Sequence, residues 1–378
     1  ARAILDELGY SNIDERSAVG SLSTSQQQVV EICKALSRKS KILVLDEPTA
    51  LLASQEVEKL FGILKRLREQ GVSIVYISHR LEEIFALSDR ITVLKDGELV
   101  GTIETKQTDD EHLMLMMVGR KPSDLFSPRH AEIGAVRLRA EGLQRGNKVK
   151  NVSFEVRAGE VLGFAGLVGA GRTEALRLVF GADKMDAGEI FLDGKKVSIS
   201  SPADALRLGI GLLPEDRKRE GVLLKMPIRV TATLSSLKNY TNGIGRIAFG
   251  KEKQAVEETC AALKLKCRSI EQNTSELSGG NQQKVALSKL LLAGSSVLIL
   301  DEPTRGIDVG AKVEIYQLIN QLAEEGKSII LISSEMMELM GLCDRIVVVH
   351  DGSVSATLER DEISEENLIK YSMGVVKA

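Results

Sequence analysis

The chain has 378 residues, a length typical of two or three domains, and 43% of them are hydrophobic. Aromatic residues make up only 3% and there is no Trp, which argues against proteins that hold nucleic acids or carbohydrates by aromatic stacking. The 50 basic and 53 acidic residues give a net charge of −3, which weighs against binding along nucleic-acid phosphates, so we expect no nucleic-acid partner.

The first part of the chain alternates helical and strand patterns. Apolar periodicity predicts helices over 26–37, 54–70 and 80–87, and strands over 41–45, 72–78 and 90–95. The first two strands are nearly continuous apolar runs, a pattern that predicts burial on both faces of the sheet. Strands that alternate with helices predict a parallel α/β sheet. Asp46 and Glu47 follow directly after the first strand, at the edge where such sheets bind ligands.

This block recurs at an offset of 255 residues. The offset maps Asp46-Glu47-Pro48-Thr49 onto Asp301-Glu302-Pro303-Thr304, and about eighty residues align without a gap. The sequence therefore predicts a tandem duplication. Residues 1–125 would be the rear part of a first domain without its phosphate-binding loop, and 126–378 a complete second domain. We accordingly expect the chain to be a fragment of a longer protein.

A glycine-rich segment opens the second copy. Gly166-Leu167-Val168-Gly169-Ala170-Gly171-Arg172-Thr173 fits the P-loop pattern, with Arg172 in place of lysine, between an apolar strand and a helix. Its backbone amides and the helix N-terminus can hold phosphate, and the Thr173 hydroxyl can ligate Mg²⁺. A plain strand–helix turn is the alternative for this motif taken alone. A dinucleotide-binding fingerprint fits less well, because Glu174 stands where its third glycine belongs.

The carboxylates and a second glycine motif complete the pattern. Asp301 can hold Mg²⁺ and Glu302 can polarise an attacking water. Two surface acids at a strand end would be unremarkable, but the recurrence as Asp46-Glu47 makes that explanation poor. In Leu277–Gln283, Ser278 is the predicted N-cap, and Gly279-Gly280 expose backbone amides at a helix start. This motif predicts a second phosphate-binding helix end.

Together these motifs resemble the ATP-binding subunits of ABC transporters. The P-loop, the signature Leu277–Gln282, the two Asp-Glu pairs and His79 carry the resemblance. The duplication, Arg172 and Pro214-Glu215-Asp216-Arg217 are similar to the ribose/galactose/xylose importer subfamily. The resemblance implies an α/β P-loop NTPase fold of the ABC type, duplicated in tandem, with a parallel-sheet core and antiparallel β and helical subdomains.

The resemblance also implies two composite sites, formed by copies that close head to tail. One would use Asp46 at the metal, Glu47 and His79 as catalytic residues, and the signature residues Ser278, Gly279, Gly280 and Gln282. The other would use Glu302 as the catalytic residue, Thr173, Asp301 and Glu215 at the metal, and for nucleotide Gly166, Gly169, Ala170, Gly171, Arg172, Thr173 and Glu174.

The second composite site departs from the family pattern at several positions. Arg172 replaces lysine, Glu215 replaces the usual glutamine, Ser334 stands where His79 predicts a histidine, and Thr24-Ser25 replace the signature glycines. These changes predict nucleotide binding without efficient turnover. Because the P-loop expected to serve Glu47 is missing from this sequence, we expect the chain alone to have little ATPase activity.

The implied function is an ATP-hydrolysing motor that energises import of a simple sugar, with ATP and Mg²⁺ as cofactors. The implied partners are integral-membrane permease subunits, a periplasmic or extracellular sugar-binding protein acting indirectly, and a second copy of the chain. No apolar run approaches the roughly 20 residues that span a membrane. The resemblance implies a peripheral location at the cytoplasmic face of the cell membrane. Alternatives are a nucleoside or signalling-furanose importer ATPase, a soluble ABC ATPase of translation or DNA repair, and a nucleotide-binding module with little turnover.

Overall fold

The computed structural model describes two compact units, Ala1–Pro122 and Ser123–Ala378, hereafter unit 1 and unit 2. The described residues are 2–376, with gaps at 8–9, 11–12, 38–39, 50–51, 53, 79, 96, 119–125 and 127–128.

Unit 1 carries the predicted alternation of helices and strands. The predicted bounds differ from the observed ones by at most two residues. β1 pairs with β2 in parallel, and β3 pairs with β4 in an antiparallel hairpin. In chain order the described elements are α1 (Arg2–Glu7), α2 (Thr24–Leu36), β1 (Ile42–Asp46), α3 (Ser54–Glu69), β2 (Ser73–Ile77), α4 (Leu81–Leu87), β3 (Arg90–Lys95), β4 (Glu98–Glu104) and α5 (Asp110–Val118).

The prediction that the first two strands are buried on both faces is wrong for unit 1. Ile42 and Val44 of β1 are 63% and 60% exposed, whereas Leu43 and Leu45, which point to the other face, are buried. Those two leucines pack with apolar residues of α2 and α3. The opposite face is bare because the described part of unit 1 holds no counterpart of the elements that cover the equivalent face in unit 2.

Unit 2 is built on a ten-stranded sheet in the order β10-β11-β12-β7-β13-β14-β6-β5-β8-β9. β10, β11, β12, β7 and β13 are parallel, and β5, β6, β8 and β9 form an antiparallel extension. The strands are β5 (Val136–Arg145), β6 (Val149–Arg157), β7 (Val161–Ala165), β8 (Ala187–Leu192), β9 (Lys195–Val197), β10 (Ile210–Leu213), β11 (Val297–Asp301), β12 (Ser328–Ile332), β13 (Arg345–His350) and β14 (Ser353–Glu359).

The helices of unit 2 lie on both faces of this sheet and in a helical group between β10 and β11. They are α6 (Arg172–Val179), α7 (Pro202–Arg207), α8 (Ile228–Thr233), α9 (Phe249–Ala262), α10 (Gly279–Leu292), α11 (Val309–Glu324), α12 (Met336–Leu342) and α13 (Glu365–Ser372). This arrangement confirms the predicted parallel core with antiparallel and helical subdomains.

Two apolar cores enclose the parallel strands of unit 2. Leu298 and Leu300 of β11 pack in one core with α10 and α11. Val297 and Ile299 pack on the opposite side with α6 and the antiparallel strands. Successive side chains of a strand point to opposite faces, so both cores bury the whole of β11. The carboxyl ends of β7, β11 and β12 therefore meet at one rigid edge of the sheet.

Candidate functional site

The glycine-rich segment forms the turn between β7 and α6. β7 is wholly buried, and the turn then passes through left-handed backbone at Gly169 and Gly171, with φ of 82° and 101°. A Cβ atom on Gly171 would lie 2.5 Å from the carbonyl oxygen of Lys148, so a side chain has no room there. The turn leads directly into the amino end of α6, and the predicted loop between a strand and a helix is thus what the structure contains.

Arg172 is the buried residue of this turn that departs from the P-loop pattern. Its guanidinium Nη1 donates a hydrogen bond of 3.1 Å to the carbonyl oxygen of Ser333, just after β12. Only 9% of the residue is exposed. Its neighbour Glu174 lies 3.7 Å from the ammonium group of Lys148. Arg172 therefore joins the glycine-rich turn to the loop that follows β12.

Asp301 and Thr173 are brought together at the carboxyl edge of the sheet. Thr173 lies beside the Asp301 carboxylate and lowers its pKa, but burial has the larger effect and raises the pKa of Asp301 from 3.8 to about 6. The second carboxylate oxygen, Oδ1, is buried and has no hydrogen-bond partner among the described residues. A buried, unpaired carboxylate oxygen beside a hydroxyl fits the oxygen ligands that Mg²⁺ takes. These two residues can thus hold the predicted metal.

Glu302 lies next to this pair with an unusual backbone. Its φ is 47°, a left-handed conformation that is costly for a residue with a side chain. Its carboxylate accepts a 3.0 Å hydrogen bond from the hydroxyl of Ser334, and burial raises its pKa. Ser334, which the repeat aligns with His79, therefore still contacts the glutamate.

The equivalent Glu47 of unit 1 has the same backbone conformation. Its φ is also 47°, and its amide donates to the carbonyl oxygen of Ile77 just as Glu302 donates to Ile332, at 2.9 and 3.0 Å. Asp46, at the end of β1, is exposed in this unit. His79 lies outside the described residues, so its predicted role stays a prediction.

The signature turn of unit 2 starts α10 at the predicted place. Ser278 has the backbone of an N-cap, but its hydroxyl makes no cap hydrogen bond and instead accepts from Nδ2 of Asn281 at 2.9 Å. Gly280 is packed so closely that a Cβ atom would lie 2.6 Å from that of Ala311. Gln282 is buried and donates to the carbonyl oxygen of Leu277 at 3.1 Å. The structure thus places Gln282 inside the turn, where it supports the loop, rather than facing solvent.

Glu215 forms an ion pair with Arg305, in the loop that follows β11. Both side chains are largely exposed, at 42% and 55%. The predicted metal contact of Glu215 would have to replace this pairing, and it stays a prediction.

A buried glutamate near the site escaped the motif analysis. Glu338 of α12 is 1% exposed, and its carboxylate accepts hydrogen bonds from the hydroxyls of Thr304 and Tyr316, both at 2.6 Å, and of Ser333, at 2.7 Å. Burial raises its pKa. It therefore ties together the loop after β11, the helix α11 and the loop after β12.

Unit 1 repeats this arrangement around Glu83. Thr49, Ser78 and Tyr76 donate to its carboxylate at 2.7 to 2.8 Å. The threonine, the serine and the glutamate occupy equivalent positions in the two copies, and that recurrence was a usable signal in the sequence. The two tyrosines do not occupy equivalent positions, since Tyr76 aligns with Leu331 and Tyr316 with Phe61.

A model of the ABC transporter family matches residues 1–50 and 149–305, more than half of the chain. The chain belongs to the ABC transporter family. The segments that match include the signature turn, the P-loop and both Asp-Glu pairs described above.

Closely similar members of the ABC transporter family are named as importer subunits. A ribose import ATP-binding protein of Rhizobium meliloti is 50% identical over 374 residues, which are 99% of this chain and 74% of that protein. A counterpart in Rubrobacter xylanophilus is 48% identical over 375 residues, 99% of this chain and 75% of its own length. The chain therefore spans about three quarters of the length of these relatives.

Solved structures of the family agree with the fold. A nucleotide-free ATP-binding cassette of an ABC transporter matches with a TM-score of 0.53 and 21% identity, over 62% of this chain and 95% of that one. The cbiO1 protein of Clostridium perfringens matches with a TM-score of 0.53 and 23% identity, over 62% and 93% of the two chains. At this level of identity the likeness establishes the ABC fold alone.

Proposed function

We propose that this chain is the ATP-binding and ATP-hydrolysing motor subunit that energises import of a simple sugar through a membrane permease. The observation that carries the proposal is the position of Thr173 beside the buried Asp301 carboxylate, whose Oδ1 has no hydrogen-bond partner among the described residues, next to Glu302 and the glycine-rich turn. The names of the ribose import relatives support the sugar as cargo.

Different residues at this edge would bind phosphate, bind the metal and accept the proton in ATP hydrolysis. The backbone amides of the turn 166–173 and the amino end of α6 would hold the phosphates of ATP. Thr173 and Asp301 would hold Mg²⁺, which when bound neutralises phosphate charge during transfer. Glu302 would accept the proton of the attacking water, with Ser334 orienting its carboxylate at 3.0 Å.

Arg172 explains why turnover at this site should be slow. A P-loop lysine reaches phosphate as a compact point charge, but the planar guanidinium is already bonded to the Ser333 carbonyl. Moving it to phosphate would leave that buried carbonyl unpaired, at a cost of about 1–3 kcal/mol. We therefore expect nucleotide to bind here more readily than it is hydrolysed.

The partners follow from the importer role. We propose permease subunits in the membrane, a sugar-binding protein that acts through them, and a second copy of the chain. Among the helices that the structure describes, none is both long and apolar enough to cross a membrane. The proposed location is peripheral, at the cytoplasmic face.

A nucleotide-binding and turnover experiment tests the proposal. We expect the 378-residue chain to bind Mg²⁺·ATP in titration calorimetry and to hydrolyse it slowly. Glu302→Gln should leave the affinity within about twofold and remove the residual turnover at the unit 2 site, because the side chain keeps its size and loses its basicity. Absence of Mg²⁺-dependent ATP binding would contradict the proposal.

The matching substitution in unit 1 provides the control. Because the P-loop expected to act with Glu47 is missing from this sequence, Glu47→Gln should leave the slow turnover unchanged. Fast turnover that disappears on Glu47→Gln would show that the proposed division between the two sites is wrong.

A further inference from the structure

A π-helical turn over Arg217–Gly221 follows β10 in unit 2. It contacts the loop after β11 and the signature turn. The carboxylate of Asp216 begins the turn by accepting the amides of Lys218 and Arg219 at 3.1 and 3.2 Å. Single π-turns are rare and are frequently found at functional sites. The turn is therefore a defined structural element, and its side-chain contacts show what it connects.

Arg217 is the buried side chain of this turn that reaches the loop after β11. Its Nη1 donates 2.7 Å to the carbonyl oxygen of Arg305, and its Nη2 donates 3.0 Å to that of Gly306. Only 9% of Arg217 is exposed. The pair between Glu215 and Arg305 spans the same two loops. A planar guanidinium that serves two successive carbonyls fixes their relative position.

The same guanidinium lies against the start of the signature helix. A Cβ atom on Gly279 would lie 2.8 Å from Nη2 of Arg217 and 2.9 Å from the carbonyl oxygen of Gly306. Gly279 therefore leaves space that the guanidinium and the loop after β11 both need. The loop, the guanidinium and the signature backbone therefore lie directly against one another.

A second contact fixes the far end of the turn to the signature helix. The ammonium group of Lys289, near the carboxyl end of α10, donates a 2.7 Å hydrogen bond to the carbonyl oxygen of Gly221. The π-turn is thus attached to α10 near both ends of the helix and to the loop after β11 at one end.

We propose that Arg217 is a positioning residue that couples the loop after β11, which begins at Glu302, to the signature turn at Gly279. This rests on the proposed function and on the expectation from the sequence that the signature turn contacts nucleotide. A shift of the loop on nucleotide binding or hydrolysis moves the two carbonyls, the guanidinium follows them, and the signature backbone moves with it. Arg217 touches neither the nucleotide nor the metal in this role.

Amide hydrogen exchange on the full 378-residue chain tests the coupling without any ATPase activity. Arg217→Ala should speed exchange about tenfold in both 277–283 and 304–307, because the loop loses two hydrogen bonds from a charged donor and the signature turn loses the guanidinium beside Gly279. Arg219→Ala, at an exposed arginine of the same turn, is the matched control and should change neither segment. Arg217→Lys should show an intermediate effect, because the ammonium group keeps the charge but lacks the fork.

Three results would overturn the coupling. Exchange in Arg217→Ala equal to that of Arg219→Ala is one, and faster exchange in only one of the two segments is another. Faster exchange spread through α6 and α11 as well would mean general destabilisation instead. If Arg217→Ala does not fold, the same criteria apply to Arg217→Lys.

A kinetic experiment distinguishes failure of this inference from failure of the proposed function. In the complete importer, reconstituted with its permease, Arg217→Ala should lower kcat for ATP about tenfold and leave KM within about twofold, whereas Arg219→Ala changes neither. A wild-type complex that hydrolyses no ATP would refute the proposed function, and the exchange result would still decide the coupling. An active wild type with equal kcat in the two variants would overturn the coupling alone.

Discussion

Replacing Asp301 by Asn should make the nucleotide-free protein more stable while removing its response to Mg²⁺·ATP. The structure raises the pKa of Asp301 from 3.8 to about 6, with burial as the main cause. That shift of about two units, at about 1.4 kcal/mol per unit, means that the charged carboxylate costs about 3 kcal/mol at neutral pH. Asn keeps the acceptor for Thr173 and carries no charge. We expect its melting temperature to exceed that of the wild type by about 6–12 °C at pH 8.

The pH dependence of folding stability determines the direction of this effect. The folded chain binds the proton of Asp301 more tightly than the unfolded chain, so wild-type stability falls as the pH rises from about 4 through about 6. The advantage of Asn should therefore be absent near pH 4 and complete at pH 8, in metal-free thermal unfolding. Mg²⁺·ATP should then raise the melting temperature of the wild type and not of the variant.

Asp46 supplies the matched control, because it occupies the equivalent position and is exposed. Asp46→Asn should leave the melting temperature unchanged at every pH. Equal melting temperatures for Asp301→Asn and the wild type at pH 8, or a difference that does not vary between pH 4 and pH 8, would refute the reasoning.

Three further predictions concern stability. Glu338→Ala should lower the free energy of unfolding in urea by about 3 kcal/mol, because three hydroxyl groups lose their buried acceptor, and Glu338→Gln should lose less. Gly280→Ala should be destabilising because its Cβ would meet that of Ala311 at 2.6 Å, whereas Gly250→Ala in α9, which has open space, should be neutral or raise stability by up to about 1 kcal/mol. Residues 1–122 alone should bind a hydrophobic dye and show no cooperative thermal transition, since the apolar face of β1 is bare; a sharp melt would contradict this.

The sequence alone predicted those parts of the site that lie within short, continuous segments of the chain. The strand, turn and helix around Gly171 and the Asp-Glu pairs at strand ends depend on local pattern and on the carboxyl-edge rule of parallel sheets. The attachment of Arg172 to Ser333 could not be predicted, because it joins residues far apart in sequence and reflects a choice among several acceptors. The left-handed φ of Glu302 is likewise imposed by its surroundings against the local preference of the residue.

The burial of the strands could not be read from β1 either. Its apolar run is as continuous as that of β11, yet one is half exposed and the other fully buried. An apolar sequence allows both faces of a strand to be buried, but the neighbouring elements determine whether each face is covered.

The two buried glutamates have a consequence for how the copies diverged. Each keeps three hydroxyl donors, but the tyrosine comes from β2 in one copy and from α11 in the other. The number of hydroxyl donors around the acid is thus the same in the two copies, although the tyrosine belongs to a different element in each. A duplicated domain can change which element supplies the tyrosine and keep three hydroxyl donors throughout, if the second tyrosine appears before the first is lost. Tyr316→Phe combined with Leu331→Tyr would give unit 2 the arrangement of unit 1, in which the aligned positions hold Phe61 and Tyr76.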